Sequence, residues 1–377
     1  MILSWCIGMP QEAGPAEPFM WSIIDPFALL WVLCERNPTF GFFLAQHLNG
    51  KDGGIVLYSD GTTSGNKLAA WGTREVYCWY WTFAAFPTWF RARSNGWFVL
   101  GTMPATRQKA ILGGASCVAK CVLHYFFRRP LGVTFTQGFQ VSPLCYIRAT
   151  LAGLLLDGLA HKQITSTKGA SGKLCCMLCQ NIVNTKNIDK SKHQVHYSVA
   201  KRSECILHTH DSFYEQVDKL ASMHGRGTKK AFAEEETRTG LVYHKHAVIY
   251  DPSMRGVYSV PKHTYFDAMH CLLTSGGIAQ WEVNAFVRRA VQLPGSKFTL
   301  ESLDTWRASI HRPRALQRLG REFAQKRVVE TDGHHLKSFA SECMTFMSEI
   351  VLWWEMVLRP AGVMLKEGRC LKFLQCP

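Results

Sequence analysis

The chain has 377 residues, of which 47% are hydrophobic and 12% aromatic, a composition typical of a globular protein and not of a disordered one. Its 43 Lys and Arg residues against 28 acids give a formal charge of +15, which favours a polyanionic partner such as nucleic acid or an acidic membrane surface. The 14 cysteines are spread too widely for a small secreted disulfide scaffold.

The sequence predicts an intracellular protein. Its N-terminus has no basic region ahead of an apolar stretch, so we expect no signal peptide and no secretion. The run closest to membrane-spanning length, Val76 to Phe90, is too short and is broken by Pro87. We therefore expect a protein that is not bound to a membrane and is nuclear or otherwise intracellular.

Residues 1–49 are predicted to be an N-terminal leader and helix. Met1 to Pro18 reads as a loose leader, and Phe27 to Leu48 has the apolar spacing of one helix, with Pro26 suited to its start. The next apolar run, Ile55 to Asn66 (IVLYSDGTTSGN), is typical of a buried strand that ends at Asp60.

The following segments predict a sheet with further acids at the ends of strands. Glu75 to Phe86 and Gly96 to Met103 are predicted to form a hairpin. Asp157 closes the apolar run Tyr146 to Asp157, and Asp267 closes Val260 to Asp267. Acids delivered by several strand ends can meet at one site and bind a divalent metal. Each has a simpler interpretation: Asp60 precedes a glycine and suits a turn, and Asp157 suits a helix N-cap.

A polar, basic stretch at about residues 168–258 is interpreted as an insertion in the sheet domain. It contains a C-x-x-C pair, Cys176 and Cys179, and an H-x-x-H pair, His193 and His196. Thiolates and imidazoles at such spacings can bind Zn²⁺. His208 or His210 are alternatives to the second pair, and the cysteines are otherwise buried packing residues.

The order of these elements is that of a ribonuclease H-like core. We predict an α/β fold, with a ribonuclease H-like mixed sheet flanked by helices over residues 50–298, a Cys/His-containing insertion, and a helical C-terminal region at 299–377.

Three motifs resemble a known group of proteins: SDGTTSGN, LLLDGLAHKQITSTKGASGKLCCMLCQN and YFDAMHCLLTSGGIAQWE. They are similar to a multicopy group encoded in dinoflagellate genomes, whose layout resembles DDE transposases. The resemblance spans roughly residues 27–346. It implies that Asp60 and Asp157 are the first two catalytic acids, and that Asp267 and His270 form the motif after the last core strand.

The resemblance places the closing glutamate on a late helix. Glu342 is slightly favoured for this role over Glu282, which is nearer in the chain and also in a helical segment. Two Mg²⁺ ions would be bound by Asp60, Asp157 and that glutamate, as phosphodiester cleavage and strand transfer require.

Gly158 takes the place of a second acid that members of the group often have after the middle aspartate, and the C-terminal tail is rich in Trp. These departures leave an active DDE transposase and a transposase-derived relic as alternatives. A non-catalytic nucleic-acid-binding protein with the same fold, with a zinc knuckle, is a further hypothesis, and a plain interaction scaffold is a third. The sequence leaves the oligomeric state open.

Overall fold

The computed structural model describes residues 4–9, 19–63, 75–130, 132–184, 198–199, 201–274, 276–294, 297–311, 319–331 and 334–373. The strands are β1 Ser4–Met9, β2 Phe19–Ile24, β3 Ile55–Thr63, β4 Glu75–Phe83, β5 Phe98–Pro104, β6 Phe139–Ser142, β7 Cys145–Ile147, β8 Leu151–Leu156 and β9 Thr264–Phe266. The α-helices are α1 Pro26–Arg36, α2 Pro38–Leu48, α3 Thr88–Arg91, α4 Ala105–Ala110, α5 Gly114–Phe127, α6 Gly158–Ile164, α7 His210–Met223, α8 Lys229–Thr239, α9 Val260–His263, α10 Ala268–Leu272, α11 Ile278–Gln292, α12 Leu300–Ser309, α13 Phe323–Arg327, α14 Ala340–Trp353 and α15 Leu365–Phe373.

The chain forms two compact units, Met1–Tyr265 and Phe266–Pro377, and the division falls within β9. The boundary predicted between residues 298 and 299 lies inside the second unit. Buried residues of α11 and of α14 belong to one hydrophobic cluster, so these helices form one core rather than two. Among the described residues, no helix combines the length and apolar character needed to cross a bilayer.

The first unit is built on a five-stranded mixed sheet with helices against it. Its strand order is β5-β4-β3-β8-β9. β4 is antiparallel to both β3 and β5, which confirms the predicted hairpin, and β3 is parallel to β8. The α/β class and the mixed sheet flanked by helices are therefore confirmed.

The two faces of this sheet differ in burial. Leu57, Trp79 and Trp81 are buried on one face, and Trp81 contacts Phe126 of α5 with ring centroids 5.7 Å apart. Tyr58 and other side chains of the opposite face are only half-buried. Because side chains alternate along a strand, this second face is the one that presents Asp60.

The N-terminal segment is more structured than its sequence predicted. β1, inside the expected loose leader, is antiparallel to β2. The single predicted helix is two helices, because Pro38 lacks the N–H that would continue α1 and the Asn37 side chain accepts a hydrogen bond from Phe40 N (3.2 Å) to begin α2. The predicted strand from Val260 is also shorter, because its first four residues form α9.

The insertion predicted at about 168–258 is part of the first unit's core. Four residues of α7 belong to the same hydrophobic cluster as the sheet: Phe213, Tyr214, Val217 and Leu220. Packing of this helix therefore anchors the polar, basic stretch around it to the sheet domain.

His263, at the end of α9, makes folding stability depend on pH. Its Nδ1 accepts a hydrogen bond from Ser259 N (3.0 Å), which requires the neutral ring. Burial, followed by the charges of Lys262 and His210, lowers the pKa of His263 to about 4. An unfolded histidine takes up its proton near pH 6.5, so the contribution of His263 is complete above that pH and decreases as pH falls towards 4.

We expect His263→Asn to remove this dependence, since the Asn Oδ1 can accept the same hydrogen bond but does not titrate. Urea unfolding at about pH 7 and about pH 4.5 measures it. The free energy of unfolding of the parent protein should fall more than that of the variant, by up to about 3 kcal/mol. Equal pH dependence of the two proteins would contradict the assignment.

Candidate metal centre

Two of the predicted acids lie side by side because of the register between β3 and β8. The parallel pairing aligns Val56 with Gly153 and Tyr58 with Leu155. Asp60 follows Tyr58 by two positions, and Asp157 follows Leu155 by two positions. Residues two apart in a strand share a face of the sheet. A carboxylate oxygen of Asp60 and one of Asp157 lie within 4.8 Å of each other, and both side chains are half-buried.

Asp60 lies inside β3 and not in the turn that its following glycine suggested. β3 continues to Thr63 because its antiparallel partner β4 extends to Glu75, and Asp60 is paired with Cys78 across these strands. The parallel pairing with β8, in contrast, is described only as far as Tyr58. Asp60 therefore occupies the place where β3 extends past its pairing with β8.

The hydroxyl of Tyr58 orients Asp60. It donates a hydrogen bond to Asp60 Oδ2 (3.2 Å) from two residues earlier on the same strand face. The Tyr58 ring contacts the rings of Tyr80 and Trp97, with centroids 6.1 Å and 5.9 Å away. This aromatic support fixes the direction of the phenol and leaves Oδ1 of Asp60 as the oxygen that Tyr58 does not contact.

The negative charge of the two acids acts on a neighbouring tyrosine, Tyr77. Burial raises the pKa of Tyr77, and the carboxylate of Glu75 adds to this shift. The carboxylates of Asp157 and Asp60 raise the pKa of Tyr77 further. Nearby negative charge that disfavours ionisation of a phenol in this way also favours a bound cation.

Asp157 has a structural role in addition to any ligand role. Its Oδ1 accepts a hydrogen bond from Ala160 N (2.5 Å) and caps α6, which confirms the N-cap interpretation. The cap fixes the carboxylate at the point where β8 ends and α6 begins. Because the cap bond uses Oδ1, Oδ2 is the oxygen that can face a metal.

Asp267 and His270 interact with each other in the second unit. Asp267 caps α10 by accepting a hydrogen bond from Met269 N at Oδ1 (2.8 Å). Its Oδ2 lies 2.9 Å from Nδ1 of His270. This pairing orients the imidazole, and the catalytic role that the family resemblance implies for the two residues stays a prediction.

The two candidates for the closing glutamate also belong to the second unit, and they differ in their contacts. Glu342 begins α14: its Oε2 accepts a hydrogen bond from Phe339 N (2.9 Å), and its Oε1 lies 3.8 Å from Arg327 Nη2. Glu282 is exposed on α11. Glu342 thus has a structural function already, and the choice between the two stays a prediction.

The zinc prediction falls partly outside the described residues. Cys176 and Cys179 are described, whereas His193 and His196 are not. Of the two alternatives, His208 is buried, and His210 contacts Tyr214 with ring centroids 4.8 Å apart. Cys176, Cys179 and Cys205 form no disulfide bonds among the described residues.

Some features near these residues were not identified from the sequence. Tyr58 is two residues before Asp60, a spacing that places both on one face of a strand and could have indicated the contact. The C-x-x-H pair formed by Cys205 and His208 was also not noted in the sequence. The alternating aromatic residues of β4, Trp79 and Trp81, are buried core residues.

No protein-family model matches the chain, and no curated protein matches it.

The donor set of the Asp60–Asp157 pair fits a hard divalent cation. Carboxylate oxygens are the ligands that Mg²⁺ prefers, and Mg²⁺ usually retains several waters, so two protein carboxylates are a sufficient starting set. Oxygens that each lie about 2.1 Å from one ion are separated by up to about 4.2 Å. The observed separation, within 4.8 Å, is therefore compatible with one shared ion after a small side-chain rotation.

Proposed function

We propose that this protein is a DDE-type transposase, or a relic of one, that cleaves and joins DNA phosphodiesters with Mg²⁺. The observation that carries the proposal is the approach of Asp60 and Asp157 to within 4.8 Å from two adjacent parallel strands. These residues are separated by almost a hundred positions in the sequence, so the fold, and not local sequence, produces the pair.

The order of elements supports a ribonuclease H-like core. The acid-bearing strand β3 is followed by two antiparallel strands, β4 and β5, on one side of it. The helix α5 then leads to β7 and to β8, which lies parallel to β3 on its other side and is followed directly by Asp157. A central acid-bearing strand with its acidic neighbour beside it is the arrangement that the resemblance implies.

The residues present can perform three tasks in such a reaction. Asp60 and Asp157 bind the metal, Tyr58 orients the carboxylate of Asp60, and the cap of α6 positions that of Asp157. A divalent ion bound there supplies activation of a water or 3′-hydroxyl and stabilises charge on the attacking and leaving oxygens. Asp267, His270, and Glu342 or Glu282 are the remaining candidates, as the family resemblance implies.

DNA is the proposed substrate, and a nuclear location follows from it. The formal charge of +15 supports binding to the phosphate backbone. Such binding releases counterions, so affinity for DNA should fall steeply as salt concentration rises.

A non-catalytic DNA-binding protein with the same fold is the second candidate. It is favoured by the structural use of Glu342, which caps α14 and lies near Arg327. Salt-dependent DNA binding without Mg²⁺-dependent nicking of supercoiled plasmid would select this candidate over the transposase. Absence of DNA binding even at low salt would reject both.

Substitutions of Asp157 separate its metal-binding role from its capping role. Asparagine also caps helices, so Asp157→Asn should fold like the parent protein but lose Mg²⁺-dependent plasmid nicking by at least about a hundredfold. Asp157→Ala should lose the same activity and, in addition, about 1 kcal/mol of stability, because Ala cannot accept the Ala160 N–H. Nicking assays and denaturant unfolding of both variants provide the measurement. Full nicking activity in Asp157→Asn would contradict the proposed function.

A further inference from the structure

A second metal-binding pattern is formed by two short motifs that lie far apart in the sequence. Cys176 and Cys179 form a C-x-x-C pair, and Cys205 and His208 form a C-x-x-H pair. Two such pairs, each with two intervening residues, are typical of structural Zn²⁺ sites with three thiolates and one imidazole.

The backbone brings the two motifs together in the first unit. Gln180 N donates a hydrogen bond to Ile206 O (2.8 Å), and His208 N donates one to Leu178 O (2.9 Å). Between these two hydrogen bonds, Cys179 and Leu207 form an isolated antiparallel bridge. The pairing aligns the end of the first motif with the end of the second.

The Asn181 side chain extends this pairing by one more step. Its Oδ1 accepts a hydrogen bond from Ile206 N (2.8 Å), and its Nδ2 donates one to Glu204 O (2.8 Å). Both bonds fix the backbone on either side of Cys205. The position of Cys205 relative to the C-x-x-C pair is therefore determined by backbone and side-chain hydrogen bonds, and not only by a free loop.

The thiols of the two motifs meet at Cys179, which has both the Cys176 thiol and the Cys205 thiol as hydrogen-bonding neighbours. Among the described residues, no three of the four side chains have their ligand atoms within 4.8 Å of one another, so a bound ion would draw them together by side-chain rotation. One residue of each motif, Cys176 and His208, lines the same small cavity, together with Cys175.

The imidazole of His208 lies beside a hydroxyl that can fix its tautomer. Its Nδ1 is 3.1 Å from Ser212 Oγ, which also has Thr209 O at 3.3 Å. A metal on Nε2 requires the tautomer in which Nδ1 donates its proton to Ser212 Oγ. A metal-binding histidine commonly donates its other N–H to such a partner, which fixes the tautomer and the ring orientation.

We propose that Cys176, Cys179, Cys205 and His208 bind one structural Zn²⁺ ion in tetrahedral geometry. Four protein ligands close the coordination shell, which is characteristic of a structural rather than a catalytic zinc. The ion links the segment around Cys176 to the start of α7, whose Phe213 is buried in the core of the unit. This ligand set takes the place of the one with His193 and His196, and it does not depend on the proposed function.

The neighbouring residues of the same types serve as controls. The Cys175 thiol donates a hydrogen bond to Ile182 O (3.5 Å). His210 is in contact with Tyr214. Neither residue belongs to the proposed shell, so Cys175→Ser and His210→Ala should retain the metal.

The first test is the metal content of the full chain, purified without added chelator. We expect about one zinc per chain by mass spectrometry of the elements. After exchange with Co²⁺, the visible absorption should show the strong d–d bands of a four-coordinate ion and a thiolate-to-metal charge-transfer band. Folded protein that neither contains zinc nor takes up Co²⁺ would overturn the proposal. This test requires no variant.

The second test identifies the ligands. Cys205→Ser and His208→Ala should each reduce zinc content to less than about a tenth of the parent value or weaken affinity by a similar factor, whereas the double variant His193→Ala/His196→Ala should retain it. Ser212→Ala should weaken zinc binding about ten- to a hundredfold through the tautomer of His208. Loss of zinc in the His193/His196 variant together with retention in Cys205→Ser would overturn the assignment.

Tests of zinc binding can be distinguished from tests of the proposed function. Asp60→Asn and Asp157→Asn should leave zinc content unchanged. A chain that contains zinc but does not nick DNA would support this site and exclude the active transposase, which leaves the relic and the non-catalytic DNA-binding protein. A chain that nicks DNA but does not bind zinc would support the active transposase and contradict this site.

Discussion

Asp60→Asn is expected to abolish Mg²⁺-dependent nicking of supercoiled DNA while leaving the fold intact. Asparagine can still accept the hydrogen bond of Tyr58, so the side chain should keep its orientation. It removes the negative charge that binds the metal, and that interaction contributes several kcal/mol to the reaction. We therefore expect a loss of at least about a hundredfold in rate.

Asp52→Asn is the matched control for this substitution. Asp52 lies just before β3, where its carboxylate accepts hydrogen bonds from Thr150 N (2.8 Å) and Gly54 N (3.0 Å). These bonds are structural, so the control should lose roughly 1 kcal/mol of stability and retain nicking activity. Circular dichroism and urea unfolding of both variants show whether loss of activity has a structural cause.

Metal binding tests the same assignment if the chain is a relic without activity. Mn²⁺ titration followed by electron paramagnetic resonance should detect a bound ion in the parent protein and in Asp52→Asn. The affinity of Asp60→Asn for Mn²⁺ should fall by about the same factor as its rate of DNA nicking. Unchanged Mn²⁺ affinity and unchanged nicking in Asp60→Asn would refute the metal centre.

The sequence predicted the Asp60–Asp157 pair because its determinants are short in range. An apolar run followed by an acid identifies a strand end, and two parallel strands bring their ends to one edge of a sheet. What it could not predict was the register, which depends on the pairing of Tyr58 with Leu155 across the sheet. A shift by one residue would have placed the acids on opposite faces.

The parts of the fold that were mispredicted depend on single residues or on distant contacts. Pro38 divides the predicted N-terminal helix, because proline has no backbone N–H to continue the hydrogen bonding of α1. The spacing of apolar residues contains no information on this missing hydrogen bond. The position of Cys205 depends on pairing with residues about 25 positions earlier, through Gln180 and Asn181. Composition and local periodicity contain no information on such pairing.

The strongest expected effect on stability concerns Arg307 in the second unit. Arg307, Asp304 and Glu349 are exposed by only 1%, 4% and 3%. Nε of Arg307 donates to Glu349 Oε2 (2.5 Å), and Nη1 donates to Asp304 Oδ1. The guanidinium also lies over the rings of Phe323 and Phe346, at 5.4 Å and 5.3 Å from their centroids. One side chain thus connects α12, α13 and α14.

Asp304 extends this connection to the start of α13. Its two oxygens accept hydrogen bonds from Ala324 N (2.9 Å) and Gln325 N (3.1 Å). Removing Arg307 would therefore leave two buried carboxylates without their common cation, one of which also orders a neighbouring helix. Breaking a buried ion pair by removing one partner is strongly destabilising, because an uncompensated charge is left in a medium of low polarity.

We expect Arg307→Met to lower the free energy of unfolding of the second unit by about 3–5 kcal/mol. Arg289→Met is the matched control: Arg289 lies on α11 of the same unit, 65% exposed, with Nη2 3.2 Å from Glu367 Oε1. An exposed pair of this kind contributes about 0–1 kcal/mol. Hydrogen exchange of peptides from α12 and α14, at increasing urea concentration, measures the stability of this unit separately from that of the first. A loss of stability in Arg307→Met no larger than that of Arg289→Met would show that the buried arginine is not what links these three helices.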